Sequence, residues 1–391
     1  MYGDQKKVEL ADVIRRFGKR FVAQETLSPD QIKALYHILQ CRTSALGGHE
    51  EVCTCCGEVR YSYNSCGDRH CPKCQGTKQA LWVEQLIQTT LPVKHYHLVF
   101  TVPHCLNKIC LWNRKMFYTL LFRAVWSTLR SFGYTHYGVE SGAIAMLHTW
   151  GQNLWLHPHV HCLVPAVGYS LKGKWKQIGK TSRFLYPVQE LSETFRGKFL
   201  DSLKRHLKKQ HQYTPSFDSH IQDAFPKDWV VFSEASMAKA DHVIQYLGQY
   251  THRVAIANSR ILSVNDTKVT FIAKDYREKT IPKPVILDGV EFLRRFCLHI
   301  LPKGFIKVRR FGIYNATTKR NLELEFGNET IETVKPRKKE TACETLKRLT
   351  GIDVSVCPVC KKGTMIKIRE LPRIRSPGNH LPSLLKACLQ Q

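Results

Sequence analysis

Three histidines in five residues, His157-Pro158-His159-Val160-His161, and two tyrosines four apart, Tyr246 and Tyr250, are the residues of this chain best suited to chemistry. Alternate side chains of a strand share a face, so an extended 157–161 turns His159 and His161 the same way, as two ligands of one ion must be. Positions four apart on a helix lie nearly one above the other, so a helix through 246–250 presents two phenols on one face. An ion beside paired phenols in a very basic chain suggests cleavage of a nucleic-acid backbone through a covalent tyrosine link. Each half alone has a bland explanation, chance histidines in a strand or tyrosines in a core. The polar company of the tyrosines (His242, Gln245, Gln249, Thr251, His252 and Arg253) argues against a buried stripe. Leu163 and Val164 stand where a zinc hydrolase of the His-x-His-x-Asp-His type needs Asp and His, which excludes that class.

The 391 residues suffice for two or three domains, and 43% hydrophobic with 10% aromatic content indicates a folded chain. A net charge of +27 points to a polyanionic partner, nucleic acid before a membrane surface. No uninterrupted apolar span supports a membrane crossing. Arg123 interrupts the best candidate, Met116 to Trp126. The first residues lack the apolar core of a signal peptide, so the expected location is a reducing cytoplasm, nucleoid-associated when bound. There, fifteen cysteines read as metal ligands and buried thiols, not disulfides. Cys53, Cys56, Cys71 and Cys74 have the spacing of one four-cysteine zinc site, with Cys55, Cys66, His70 and His49 near enough to compete. Cys357 and Cys360 form half of a second site, whose missing pair could include Cys343, His380 or Cys388.

Periodicity places helices over 107–132, 188–212 and 235–251, and strands over 95–102, 143–150, 159–167 and 229–233. This order matches a split βαβ arrangement. The expected fold class is α+β with a central antiparallel sheet of the ferredoxin-like (RRM-like) kind, a small zinc-binding module and a β-rich C-terminal region. Expected boundaries are a helical segment at 1–48, a zinc module at 49–91, a catalytic domain at 92–256, a β-rich DNA-binding extension at 257–330 and a basic tail at 331–391.

The sequences around His157 to Pro165, Tyr246 to Ile256 and Asn64 to Gln75, with Phe292 to Phe296 and His299 to Phe305, closely resemble the two-tyrosine HUH transposases of rolling-circle insertion sequences (family ninety-one of the bacterial elements). The resemblance runs from about Leu27 to Cys360 in unbroken order. It implies Tyr246 and Tyr250 as nucleophiles, His159 and His161 as ligands of a catalytic Mg2+ or Mn2+, and a structural Zn2+ on the cysteine cluster. It also implies cutting and rejoining of single-stranded DNA at transposon ends and target through 5′-phosphotyrosine intermediates.

A phenol is mostly protonated at neutral pH, and a divalent ion at the histidines would polarise the scissile phosphate and orient it. Mixed imidazole and oxygen ligation suits Mg2+ or Mn2+, whereas imidazole alone favours softer metals. If 143–150 and 159–167 form a hairpin, His148 and Gln152 share the parity of the paired histidines. Gln152 is the expected third ligand, with His148, His157 and Gln249 as alternatives. Arg253, Arg260, Arg294, Arg295, Lys307, Arg309 and Arg310 are the expected phosphate contacts. Gly179-Lys180-Thr181 ends like a P-loop, but Lys174 stands where its first glycine belongs, so strand separation falls to a host helicase or to replication. A plasmid replication initiator or relaxase with the same chemistry, and a non-catalytic zinc-containing DNA-binding regulator, are the competing classes.

Overall fold

The computed structural model describes residues 7–170, 172–179, 184–235, 255–274, 281–318 and 340–373. Tyr246, Tyr250, Gln249 and Arg253, with most of the helix expected to carry them, lie outside these residues, as do His380 and Cys388.

Helices α1 (Leu10–Gln24) and α2 (Pro29–Gln40) come first, then a hairpin of β1 (Gly48–Cys53) and β2 (Val59–Tyr63), and α3 (Gly76–Thr89). Strand β3 (His95–Thr101) leads into α4 (Asn107–Trp112) and α5 (Arg114–Phe132). The single helix expected over 107–132 is broken at Asn113. Its backbone leaves the helical region while its side chain accepts the Met116 amide, so it ends one helix and caps the next. The hairpin β5 (Gly142–Trp150) and β6 (Leu156–Pro165) follows the short β4 (Val139–Glu140). Then come β7 (Val167–Ser170), β8 (Trp175–Gln177), α6 (Val188–Lys209), α7 (Pro215–Ala224) and β9 (Val231–Ala235).

Strands β13 (Val308–Gly312), β5, β6, β3 and β9 form one antiparallel sheet in that order. Leaving β13 aside, the first chain strand lies between the third and fourth, with α5 and α6 as crossovers. This is the doubled split βαβ arrangement. Period-two alternation gives the sheet two different faces. Val160, Cys162 and Val164 of β6 join Leu98, Phe100, Ala145 and Leu147 in the main core against Phe117 and Leu121 of α5 and Phe195 and Phe199 of α6. The intervening residues His159, His161 and Leu163 fall on the other face. At one end of that face, Leu163 and Ile144 are covered by Leu86 of α3.

A second core unites α1 and α2 with the sheet β10 (Ile261–Val264), β11 (Lys268–Lys274) and β12 (Pro282–Asp288) and with α8 (Gly289–Leu298). It includes Leu154 from the β5–β6 turn, so the N-terminal helices pack against the tip of the central hairpin. Ser28 caps α2 in a reciprocal box with Gln31, and Asp288 caps α8. Two pairings cross the expected boundaries. Strand β13, from the supposed extension, lies beside β5, and β14 (Met365–Leu371), from the supposed tail, pairs with β1. The tail also contains α9 (Ala342–Thr350), joined to α3 by the Arg348–Glu84 ion pair.

Gly289 starts α8 where a Cβ would come 2.3 Å from the buried Phe17 ring of α1. Gly289→Ala should therefore force the two helices apart and cost about 1–3 kcal/mol, read as a lowered midpoint in urea unfolding. Unchanged stability would show that these helices are not close-packed.

Candidate metal centre and cysteine clusters

The β5–β6 register sets His148 directly opposite His159, and Met146 opposite His161. Directly opposed residues share a face, so three imidazoles converge, with one nitrogen of each within 4.8 Å of the others. The His148 and His161 ring centroids lie 4.2 Å apart. His148 and His161 are buried, whereas His159 stays partly exposed. His159 Nδ1 is 2.7 Å from the His157 carbonyl oxygen, which can only accept. That fixes the proton on Nδ1 and leaves the Nε2 lone pair for an ion. His161 Nδ1 and His97 Nε2 are 2.9 Å apart with the rings stacked, so His97 orients His161 from β3.

Burial drives the His148 and His161 imidazoles far below their usual pKa, reinforced by neighbouring histidines and Lys307. Burial lowers His159 and His97 to about 4. Neutral imidazoles with available lone pairs are what metal ligation requires. Lys307, placed by the strand beside β5, holds its ammonium 4.6 Å from the Trp150 ring, and enclosure lowers it to about 7.

The third imidazole is thus His148, one of the alternatives named from the sequence. Gln152 sits in the β5–β6 turn, where its carbonyl accepts from Arg260. Several expected phosphate contacts have partners within the fold. Arg260 also donates to the Ile272 and Ala255 carbonyls, Arg294 pairs with Glu25 and Glu291, and Arg295 pairs with Glu291 while lying 3.8 Å over the Trp155 ring. Arg309 lies over Phe122, and Arg310 donates to Thr89. These arginines brace the scaffold.

The cysteines correct the expected zinc site. Cys53 and Cys56 do not join Cys71 and Cys74. Cys71 and Cys74 cluster with Cys41 and Cys66, while Cys53 and Cys56 meet Cys357 and Cys360, each set with sulfurs within 4.8 Å. Strand pairing decides the exchange, because β14 lies along β1 and delivers the distant knuckle. Cys41, at the end of α2, was not considered from the sequence, since it has no neighbouring cysteine in a knuckle. Burial in the second core beside Cys71 and Cys74 is its only mark. His70 is no competing ligand. Its Nδ1 donates to Asp68 and its Nε2 accepts the Leu301 amide. Burial opposes ionisation of Asp68, but hydrogen bonds from His37 and His70 hold its carboxyl well below the usual range. Arg69 donates to the carbonyls of Leu301, Pro302 and Phe305, so the loop between Cys66 and Cys71 docks just ahead of Lys307.

A family model described as "Transposase zinc-binding domain" matches residues 13–102, and one described as "Putative transposase" matches residues 142–321. The chain is 38% identical over 388 residues to "Putative transposase y4qJ" of Sinorhizobium fredii (strain NBRC 101917 / NGR234), covering 94% of this chain and 97% of the relative. It belongs to the IS91-type transposases. A more distant relative, "Transposase for insertion sequence element IS801" of Pseudomonas savastanoi pv. phaseolicola, is 26% identical over 340 residues, 84% of this chain and 82% of the relative. No solved structure matches. A transposase acts on DNA as a DNA-cleaving enzyme, in keeping with the charge of +27. Among the described residues no helix is long and apolar enough to cross a membrane.

The transposase carries two kinds of donor cluster. Four thiolates fit structural zinc. Three neutral imidazoles with no carboxylate among them fit Mn2+ better than Mg2+. Mn2+ titration should separate the two candidates for third ligand: His148→Ala weakens binding by tenfold or more, and Gln152→Ala leaves it within about twofold. The reverse pattern would restore Gln152.

Two buried histidines outside the cluster, His95 and His299, are each lowered by burial to about 4 from 6.5. Between those values the unfolded chain binds more protons, so stability present at pH 7 is lost as pH falls from 6.5 towards 4, by up to about 1.4 kcal/mol per pH unit for each histidine. Urea midpoints at pH 7 and pH 5, without added divalent ions, should differ in that direction.

Proposed function

We propose that the transposase cuts and rejoins single-stranded DNA at element ends through 5′-phosphotyrosine links to Tyr246 and Tyr250, with a divalent ion held by His148, His159 and His161. The observation that carries this reading is the convergence of three neutral imidazoles on the sheet face not occupied by the main core. A bound ion supplies Lewis-acid polarisation of the scissile phosphate and fixes its orientation.

The chain's own residues supply the rest. His97 and the His157 carbonyl hold two of the rings in place. Lys307 lies beside the cluster, where a bound phosphate would favour the protonated form that burial disfavours. Exposed Trp155, under the Arg295 guanidinium at the hairpin tip, offers a stacking surface for an unpaired base. The described residues that flank the tyrosines along the chain are Ala235 and Ala255. Ala235 pairs with Tyr96 at one end of the sheet, and the Ala255 and Gln152 carbonyls share the Arg260 guanidinium at the other. The histidines lie between these ends.

In the reaction a tyrosine oxygen attacks phosphorus and gives up its proton, the bond to the 3′-oxygen breaks, and that oxygen leaves as a 3′-hydroxyl. The phosphodiester is conserved as a phosphotyrosine ester, so rejoining by a 3′-hydroxyl needs no nucleotide hydrolysis. Two tyrosines allow one to hold an end while the other opens the next junction.

A single-stranded oligonucleotide carrying the element end, labelled 3′ of the cleavage point, should give a covalent protein–DNA adduct that requires a divalent ion. Tyr246→Phe with Tyr250→Phe should abolish the adduct, and either change alone should leave one. His159→Ala with His161→Ala should lower the rate by roughly 10²-fold or more, as loss of electrostatic stabilisation at phosphate does elsewhere. Adduct formation by the double Phe variant would refute the assignment.

A further inference from the structure

The four-cysteine cluster shared by the two ends of the chain stands apart from the chemistry above. The family's zinc-binding match ends at residue 102, whereas two of these cysteines lie at 357 and 360. We propose that the transposase carries two structural zinc ions, the second held by Cys53, Cys56, Cys357 and Cys360, and that this ion fastens the C-terminal segment onto the N-terminal module.

Four independent features carry the inference. Cys53 Sγ lies 3.6 Å from Cys360 Sγ, and Cys56 Sγ lies 3.7 Å from Cys357 Sγ, so two Cys-x-x-Cys turns face one another. Backbone amides point at the sulfurs, those of Cys55 and Cys56 at Cys53 and that of Gly363 at Cys360, which stabilises thiolates. The long pairing of β14 with β1 fixes the two turns in register. Gly363 packs so tightly that a Cβ there would come 2.4 Å from Cys53 Sγ and 2.9 Å from the Cys55 amide nitrogen. A set of four thiolates selects zinc among the common ions.

The alternative is a knot of free thiols, and the packing argues against it. The apolar cluster at this point is Cys53, Cys357 and Met365 with Cys360 beside it, too little to hold a hairpin and a distant strand together. A closed metal site supplies what that core lacks. The tie also matters at a distance. Strand β14 follows α9, which grips α3 through Arg348 and Glu84, and α3 covers Ile144 and Leu163 on the face that bears the histidines. The second zinc thereby holds a cover over the end of the catalytic sheet.

The test is zinc content per chain, measured by mass spectrometry on the full-length protein purified in reducing buffer. In a His159→Ala, His161→Ala background, which removes the imidazole cluster from the count, the chain should contain two zinc ions, with Cys357→Ser and Cys360→Ser added one, and with Cys343→Ser added, outside both clusters, two. Gly363→Ala keeps every cysteine yet should also fall to one, which separates loss of the site from loss of a ligand. Cobalt substitution of the wild type should give thiolate charge-transfer absorption matching two tetrathiolate ions, independently of whether any variant folds. One ion in that background, or two in its Cys357/Cys360 variant, would overturn the proposal. The oligonucleotide adduct assay reads a different centre, so its failure would leave this count untouched.

Discussion

The pairing of His148 with His159 across the β5–β6 hairpin is the constraint on which the candidate metal centre depends. A strand has a side-chain period of two, so a slip of one residue would turn His159 and His161 into the main core and carry Val160, Cys162 and Val164 out of it. The apolar residues and the histidines therefore enforce one another. The register that buries the three β6 core residues beneath α5 and α6 is the register that gathers the imidazoles on the opposite face. The same burial that makes these imidazoles poor bases keeps them good ligands, since protonation in such a place would leave a charge without solvent.

The N-terminal helices and the cysteine module after them act on this hairpin through separate contacts. Arg69 and His70, between Cys66 and Cys71, hold the backbone at Leu301 to Phe305, and that backbone leads directly to Lys307 and β13. Strand β13 then closes the free edge of β5. Leu154 in the hairpin turn is packed into the core made by α1, α2 and α8. The N-terminal cysteine module thus reaches the histidine face by fixing the strand beside it.

Much of the central sheet was legible in the sequence because its signals are local. The alternation in 159–167 and in 95–102, with helical periodicity between, gives the split βαβ order, and histidine parity brings two imidazoles to one face. His148 was legible only as one of several candidates, because choosing it over Gln152 requires the turn length: the ladder shifts register between His148 and Trp150. The cysteines misled for the opposite reason. Cys53, Cys56, Cys71 and Cys74 have an ideal spacing along the chain, but spacing cannot report that β14 returns from some three hundred residues away to lie along β1. A single sequence does not reveal a carboxylate waiting across the fold, as Glu25 waits for Arg294.

The partition of sulfur and nitrogen ligands has a physical logic of its own. Zinc that stabilises a fold must not exchange during turnover, and a closed shell of four thiolates gives that permanence. An ion that meets a phosphate must keep open positions, and three imidazoles with one partly exposed ring leave them. Among the described residues no cysteine belongs to the imidazole cluster and no histidine to either thiolate cluster. Thiolates on the histidine face would favour a tightly held zinc there. The nearest thiol on β6, Cys162, is instead turned by strand parity into the apolar core, where burial pushes it well above the usual thiol range and keeps it from the metal face. The alternation that brings the imidazoles together therefore also keeps that thiol away from them.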